Sequence, residues 1–358
     1  MPIHPRIVSL STASPHFTVA RDEMLAFVYK HLLGDDWAAG ETSRQQARQI
    51  ERTVMASTVE TRQLSVDIDD FYARPRSTGE RMATYVSVAR ALGRNALEAC
   101  LCAAPGIDAA SLTDLTVVSC TGYAAPGVDI LLSRDLGLNP DVRRIVVGHM
   151  GCFGALAGMR QLLATMRAYP KAVAALLCVE ISSIHFSSSA DRTVLSLFGD
   201  GAAALLLTND QHAAGPEVVD AYSVADFGAA NQMTWEVGDE GFIMGLSPRV
   251  PVTLRRQVRA ATERLLAPHG LNIRDVTHWL VHPGGPSILE AIADKLELAD
   301  EQLAHSWKVL REHGNCSSAT VLMVLEEAIK SGATHRGEWG VMMAFGPGLT
   351  LELCLLRF

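Results

Sequence analysis

The apolar positions of this chain fall into two rhythms, one helical and one of short uninterrupted blocks. Ile7 to Ser11 reads as a first strand, and Val19 to Leu33 carries Ala20, Met24, Phe27, Val28 and Leu32 at helical spacing. Arg44 to Gln63 reads as a polar helix, Asp67 to Gly79 as a Pro- and Gly-containing loop, and Arg81 to Ala103 as a long helix. Asp114 to Ser119, Arg143 to Gly148, Ala172 to Val179 and Ala202 to Thr208 are short apolar segments, and the later ones are unbroken, as in strands buried on both faces. The helix Cys152 to Tyr169 lies among them. A second series begins at Gly215: a strand to Phe227, the helix Val252 to His269, the strand Thr277 to His282, the helices Ser287 to Leu296 and Asn315 to Ala328, and a terminal strand pair. This order predicts a layered α/β fold built from two similar halves, residues 1–214 and 215–358, although no residue identities repeat.

Candidate chemistry sits where these elements end. Val147-Gly148-His149-Met150-Gly151-Cys152-Phe153-Gly154 runs from a strand into a helix, and Cys152 opens that helix. A thiolate there gains from the helix dipole and the unpaired N–H groups, which predicts a pKa lowered into the range of about 3.5 to 7.5. His282 ends a short apolar strand before the loop Pro283-Gly284-Gly285-Pro286, and Asn315 is placed at the start of the helix through Ala328. Each residue alone has an ordinary explanation, as a buried thiol, a core imidazole or an N-cap. Together at element ends they make a nucleophile, a base and an amide donor.

Five motifs carry a family resemblance over nearly the whole chain. Gly151-Cys152-Phe153, Leu197-Phe198-Gly199-Asp200-Gly201-Ala202-Ala203-Ala204, His282-Pro283-Gly284-Gly285-Pro286, Gly314-Asn315-Cys316-Ser317-Ser318-Ala319 and Phe345-Gly346-Pro347-Gly348 resemble, in order and spacing, the signatures of type III polyketide synthases, the chalcone synthase family. The resemblance implies a thiolase-like αβαβα fold and a homodimer. It also implies loading of an acyl-CoA starter on Cys152, extension by decarboxylative condensation with malonyl-CoA, and His282 and Asn315 completing the triad, with no metal or organic cofactor. Phe198 matches the gatekeeper between the coenzyme A tunnel and the cavity. Cys120 matches a position beside the nucleophile, in the strand end Cys120-Thr121-Gly122, and Ala125 a loop that reaches into the partner's cavity. Met244 stands where plant enzymes place a phenylalanine against an aromatic starter, and the Phe345 to Gly348 motif belongs to the substrate region. Of Arg44, Arg48, Arg52 and Arg62 on the polar helix, Arg52 matches a coenzyme A contact best, although neighbouring family lysines are absent. Ser119-Cys120-Thr121-Gly122-Tyr123 together with Trp235-Glu236-Val237-Gly238-Asp239-Glu240-Gly241-Phe242 resembles bacterial members that make alkylpyrones and alkylresorcinols from medium or long fatty acyl-CoA, and small Ala124 and Ala125 with the flexible Met244 fit such a chain.

Composition narrows the alternatives. A chain of 358 residues, 48% hydrophobic and 20% charged, has a substantial core, and a net charge of −8 argues against nucleic acid or an anionic membrane as partner. Seven cysteines without metal or disulfide spacing fit a reducing compartment, and with no signal-like or membrane-spanning run the chain reads as cytoplasmic. A ketoacyl synthase III-like enzyme of fatty-acid synthesis would share fold and triad, but the Leu197 to Gly201 and Phe345 to Gly348 motifs favour the polyketide branch. A papain-like hydrolase also spaces Cys and His by about 130 residues, yet its cysteine lies near a mature N-terminus in another context. A non-catalytic binding protein of this fold predicts no acylation of Cys152.

Overall fold

The computed structural model describes residues 4–33, 41–187 and 192–358. In chain order its elements are β1 (Arg6–Ala13), β2 (Phe17–Ala20), α1 (Arg21–Phe27), α2 (Glu41–Ala56), β3 (Thr61–Leu64), α3 (Ile68–Phe71), α4 (Thr78–Cys102), β4 (Asp114–Val118), α5 (Val128–Asp135), β5 (Arg143–Val147), α6 (Gly154–Ala168), β6 (Val173–Glu180), α7 (Arg192–Leu197), β7 (Gly201–Thr208), β8 (Glu217–Ala225), β9 (Met233–Gly238), β10 (Gly241–Leu246), α8 (Val250–Leu266), β11 (Val276–Val281), α9 (Pro286–Leu296), α10 (Ala304–His313), α11 (Thr320–Lys330), β12 (Trp339–Gly346) and β13 (Thr350–Arg357).

Nine strands join in the order β11-β12-β13-β8-β1-β7-β6-β4-β5. Between β8 and β1 the pairing shrinks to a single partner pair, Arg6 with Glu217, so the array is two half-sheets touching at a seam. Helices α6 and α11 lie between them, each contacting strands of both halves. Their side chains form one buried cluster with the inward faces of β6, β7, β12 and β13, while α4 and α8 cover the outer faces. The result is the expected αβαβα layering. Strands buried on both sides must be apolar throughout, which is why β6 and β7 read as unbroken runs.

Small residues set how closely α6 approaches its sheet. A Cβ at Gly154 would lie 2.6 Å from Val118, and one at Gly158 would lie 2.8 Å from Leu176. The close approach draws the turn before α6, with its cysteine, to the ends of β4 and β5.

Several boundaries differ from expectation. The segment expected to be helical from Val19 to Leu33 starts as strand β2, continues as α1 and ends in a π-helical turn over Val28–Leu33. The polar helix stops at Ala56 rather than Gln63. Thr58 adopts φ 62°, and Thr61–Leu64 alternates half-buried and buried residues while pairing with β2. Period two won there because it turns Arg62 and Leu64, two residues apart, to the same buried side, which a continued helix would set on nearly opposite sides. Helix α4 starts at Thr78, inside the expected loop, because Ser77 and Glu80 form a capping box. Asn315 precedes its helix by a 3₁₀ turn, Ser317–Ala319, so α11 proper begins at Thr320.

Candidate active site

Three chain segments converge at the ends of parallel strands. After β5 the backbone turns through His149 (φ 62°) and Gly151 (φ 65°) into the 3₁₀ turn Gly151–Phe153. The loop after β12 lies against this turn. A Cβ on Gly151 would be 2.7 Å from Pro347, and one on Gly346 would be 3.0 Å from the Met150 carbonyl, so both contacts need glycine. Strand β11 runs parallel to β12, and the His282 N–H donates to the Met343 carbonyl at 2.8 Å. Asn315 is held by backbone bonds to the segment carrying Phe198: its N–H donates to Leu197 O at 2.7 Å, and Gly199 N–H donates to Asn315 O at 3.1 Å.

The side chains of Cys152, His282 and Asn315 are all buried. The Asn315 Oδ1 accepts the Ser317 N–H at 2.8 Å, which fixes the amide and leaves Nδ2 4.0 Å from the Cys152 sulfur. His282 is wholly buried with its ring edge-on to Phe345 at 5.6 Å, and neither ring nitrogen has a hydrogen-bond partner. Such an orphaned group costs about 1–3 kcal/mol, which folds tolerate where the group has work to do.

Burial pushes the Cys152 thiol up to about 12, with the Glu180 carboxyl adding to the effect, and pushes His282 down to about 3. This corrects the expected lowering at Cys152. The sulfur is enclosed by protein, and α6 begins only at Gly154, so desolvation outweighs the helix dipole.

Beside the triad lies a fully partnered cluster that sequence reasoning missed. Glu180, wholly buried at the end of β6, accepts the Cys120 N–H at 3.0 Å, the Thr121 hydroxyl at 2.9 Å and the Ser318 hydroxyl. Thr121 Oγ1 also accepts the Ile181 N–H at 2.8 Å, so its one O–H is committed to Glu180 and one lone pair to the backbone. The Cys120 sulfur sits 3.2 Å from Ser317 Oγ and 3.5 Å from both Glu180 oxygens, and burial raises its thiol well above the ordinary value. The one available signal was an acid closing an otherwise apolar run.

Cys152 borders an inner pocket of about 140 Å³ whose walls include Cys120, Phe198, Trp235, Met244 and Ser317. Gly346 and Pro347 also border it, whereas Phe345 stands behind His282 and Gly348 does not reach the pocket. Trp235 and Met244 belong to the β9–β10 hairpin. Ala125 is exposed and outside this pocket. A larger, open cavity of about 980 Å³ adjoins it at Met233 and is bounded by Gln49 and Thr53 of α2, Leu197 of α7 and the Gly284-Gly285 turn. Arg52 is exposed on α2 beside these residues and does not line the cavity.

Arg62 departs furthest from expectation. Its guanidinium is buried and donates to the carbonyls of Leu195 at 2.9 Å, Ser196 at 2.7 Å and Phe198 at 3.1 Å, holding the segment that carries Phe198 from behind. It offers no cation to a ligand. Among the described residues no group of three or more His, Cys, Asp or Glu side chains could hold a metal ion, and no helix is long and apolar enough to cross a membrane.

Two family models cover the chain: chalcone and stilbene synthases, N-terminal domain, over residues 5–211, and the corresponding C-terminal domain over residues 223–358. Among curated relatives, a 1,3,6,8-tetrahydroxynaphthalene synthase of Streptomyces peucetius subsp. caesius is 36% identical over 307 residues, covering 84% of this chain and 81% of the relative. A 3,5-dihydroxyphenylacetyl-CoA synthase of Streptomyces toyocaensis is 31% identical over 370 residues, covering 100% and 91%. The alpha-pyrone synthesis polyketide synthase-like Pks18 of Mycobacterium tuberculosis is 32% identical, covering 86% and 81%. The crystal structure of PKS-I from the brown alga Ectocarpus siliculosus superposes with a TM-score of 0.91 at 27% identity, covering 100% of this chain and 99% of that one. With its layered thiolase-like fold and both family models matched in order, the chain belongs to the chalcone and stilbene synthase family, the type III polyketide synthases, enzymes that extend acyl chains by decarboxylative condensation.

Proposed function

We propose that Cys152 is the acyl-carrying nucleophile of this synthase and that His282 and Asn315 assist it from the C-terminal half, residues 215–358, while residues 1–214 supply the thiol. The observation that carries this reading is the unpartnered, buried imidazole of His282 together with an Asn315 amide whose Oδ1 and Nδ2 lie 3.9 and 4.0 Å from the Cys152 sulfur. Burial favours the neutral forms of both thiol and imidazole. Proton transfer from Cys152 to His282 creates the two charges together, and each then stabilises the other. The thiolate attacks the starter thioester carbonyl, and the coenzyme A thiolate leaves into the open outer cavity to be protonated by solvent, while His282 keeps the proton it took from Cys152. Malonyl-CoA then loses CO₂, the electron pair of the broken C–C bond passing into an enolate. The Nε–H of His282 and the Asn315 amide donate to its oxygen. The enolate carbon attacks the Cys152 thioester, forming the new C–C bond and releasing the thiolate.

Phe198, which lines the inner pocket and follows Leu197 of the outer cavity, is proposed as the gate, with coenzyme A in the outer cavity and Arg52 of the adjoining α2 toward the phosphates. The starter is a medium or long fatty acyl-CoA and the product an alkylpyrone or alkylresorcinol, a reading supported by relatives named for pyrone and polyhydroxylated aromatic products and by the flexible Met244 in the pocket wall. At about 140 Å³ the inner pocket is smaller than the roughly 300–1,000 Å³ usual for ligand sites, so a long tail needs the pocket to widen. A homodimer is supported by the free edge of β5, where Ile145 is 41% and Val146 55% exposed, and by the exposed loop at Ala125. Seven unpaired cysteines support a cytoplasmic setting.

The test is to incubate the pure protein with a panel of acyl-CoAs and malonyl-CoA and to weigh the products. Starter and number of extensions follow from mass. A better kcat/KM for acetyl-, malonyl- or an aromatic acyl-CoA than for every starter of eight carbons or more would overturn the long-chain reading and leave the synthase assignment standing.

A further inference from the structure

The β9–β10 hairpin is a two-stranded sheet of its own, separate from the nine-stranded array, yet it supplies Met233, Thr234, Trp235 and Met244 to the pocket at Cys152. A lone hairpin is marginal in water, so its position depends on what ties it down. On the pocket side two bonds do so. The Trp235 indole N–H donates to the Cys120 carbonyl at 2.7 Å, and the Phe242 N–H donates to Nδ1 of His185 at 3.0 Å. The second bond fixes the His185 tautomer, because Nδ1 must be the acceptor. Its Nε2–H therefore donates to the Thr121 carbonyl at 2.7 Å.

His185 is buried, and its ring stacks on Phe242 at 4.5 Å and 7°, while Trp235 meets both rings edge-on at 5.5 and 5.7 Å. Both tethers end on the strand end Cys120-Thr121, whose side chains line the opposite wall of the same pocket. The imidazole and the indole thus bridge two walls of one small cavity, and neither takes part in the chemistry assigned to the triad.

We propose that His185 and Trp235 are positioning residues that clamp the β9–β10 hairpin onto the strand end at Cys120-Thr121 and thereby set the length of acyl chain the pocket accepts. The inference rests on the reading of Cys152 as acyl carrier. Loosening the clamp lets the hairpin wall retreat and admits longer starters, while the triad keeps its geometry.

The experiment compares wild type with Trp235→Phe, which keeps an aromatic ring and removes the N–H, with His185→Leu, which removes both tethers of the imidazole, and with His185→Asn, whose short amide can retain the acceptor toward Phe242. Each full-length protein is given saturated acyl-CoAs from two to sixteen carbons with malonyl-CoA, and kcat, KM and product mass are measured. The expected result is that the ratio of kcat/KM for the longest to the shortest accepted starter rises about tenfold in His185→Leu, the worth of roughly one hydrogen bond, and less in Trp235→Phe. His185→Asn should lie nearer wild type. The change should appear chiefly in KM, with intact-mass acylation of Cys152 retained. If His185→Leu does not fold, Trp235→Phe and His185→Asn carry the test. An unchanged chain-length profile in the folded variants, or a uniform loss of kcat for all starters, would overturn the clamp. Absence of acylation at Cys152 in wild type would instead overturn the reading beneath it.

Discussion

Two buried polar groups in this molecule are built on opposite rules. Glu180 has a donor for each of its oxygens, with Cys120, Thr121 and Ser318 all committed to it. His282 is as deeply buried and has none. A carboxyl in a low-dielectric interior must be satisfied or it destabilises the fold, so the first arrangement serves structure. The second leaves donor and acceptor capacity unspent, at a cost to stability, and in the proposed mechanism that spare capacity serves the reacting thioester. Presence in the cavity therefore does not by itself mark a residue as reactive: Thr121 lines the pocket, but its only O–H is already given to Glu180.

The largest expected effect breaks the unsatisfied side. Cys152→Ala should abolish polyketide formation while leaving Tm near that of wild type, as read by product mass and thermal melting. Normal product yield would end the assignment. Asn315→Ala should lower malonyl-CoA decarboxylation and condensation together by about 100- to 1,000-fold, the usual loss of one oxyanion donor. Separate rate measurements for the two steps check this, and a variant that decarboxylates normally would show that the amide does not serve the enolate.

Breaking the satisfied side should act on stability instead. Glu180→Ala strands several donors and should lower stability by about 1–3 kcal/mol or more, measured by denaturant unfolding, whereas Glu180→Gln keeps most acceptor capacity and should lose less. Equal losses in the two variants would mean that the hydrogen bonds are not what the carboxyl provides.

The pH dependence of unfolding sharpens the comparison further. His282 is held down at about 3 against an ordinary 6.5, so between those values the unfolded chain binds a proton that the native chain refuses. Its contribution to stability is complete above about pH 6.5 and is lost as pH falls toward 3. Cys152, raised from 9.0 to about 12, behaves in reverse, with its contribution complete below about pH 9 and lost as pH rises. A His282→Gln variant should therefore lose less Tm than wild type between pH 6.5 and 4. Parallel curves would show that His282 titrates normally in the fold. The smallest effect belongs to Arg52→Ala, where an exposed cation at the cavity rim should raise KM for acyl-CoA a few-fold without changing kcat.

The order of apolar blocks determined the layered α/β class, because strands covered on both faces must be apolar throughout and helices between them must carry small residues where they touch the sheet. Glycine-flanked Cys152, His282 before its Gly-Gly turn and Asn315 were legible because each stands at the end of an element, and the spacing of the five motifs identified the family. What tertiary structure decided is which polar groups are satisfied. Arg62 belongs to the same run of arginines as Arg52, yet a two-residue period, visible only once β3 pairs with β2, turns it inward to bind three carbonyls. Glu180 finds its donors on segments about 60 and 138 positions away along the chain. The proton affinities of Cys152 and His282 follow from how completely both half-sheets enclose them. Such enclosure is a sum over contacts far apart in the chain, and local sequence carries no term for it.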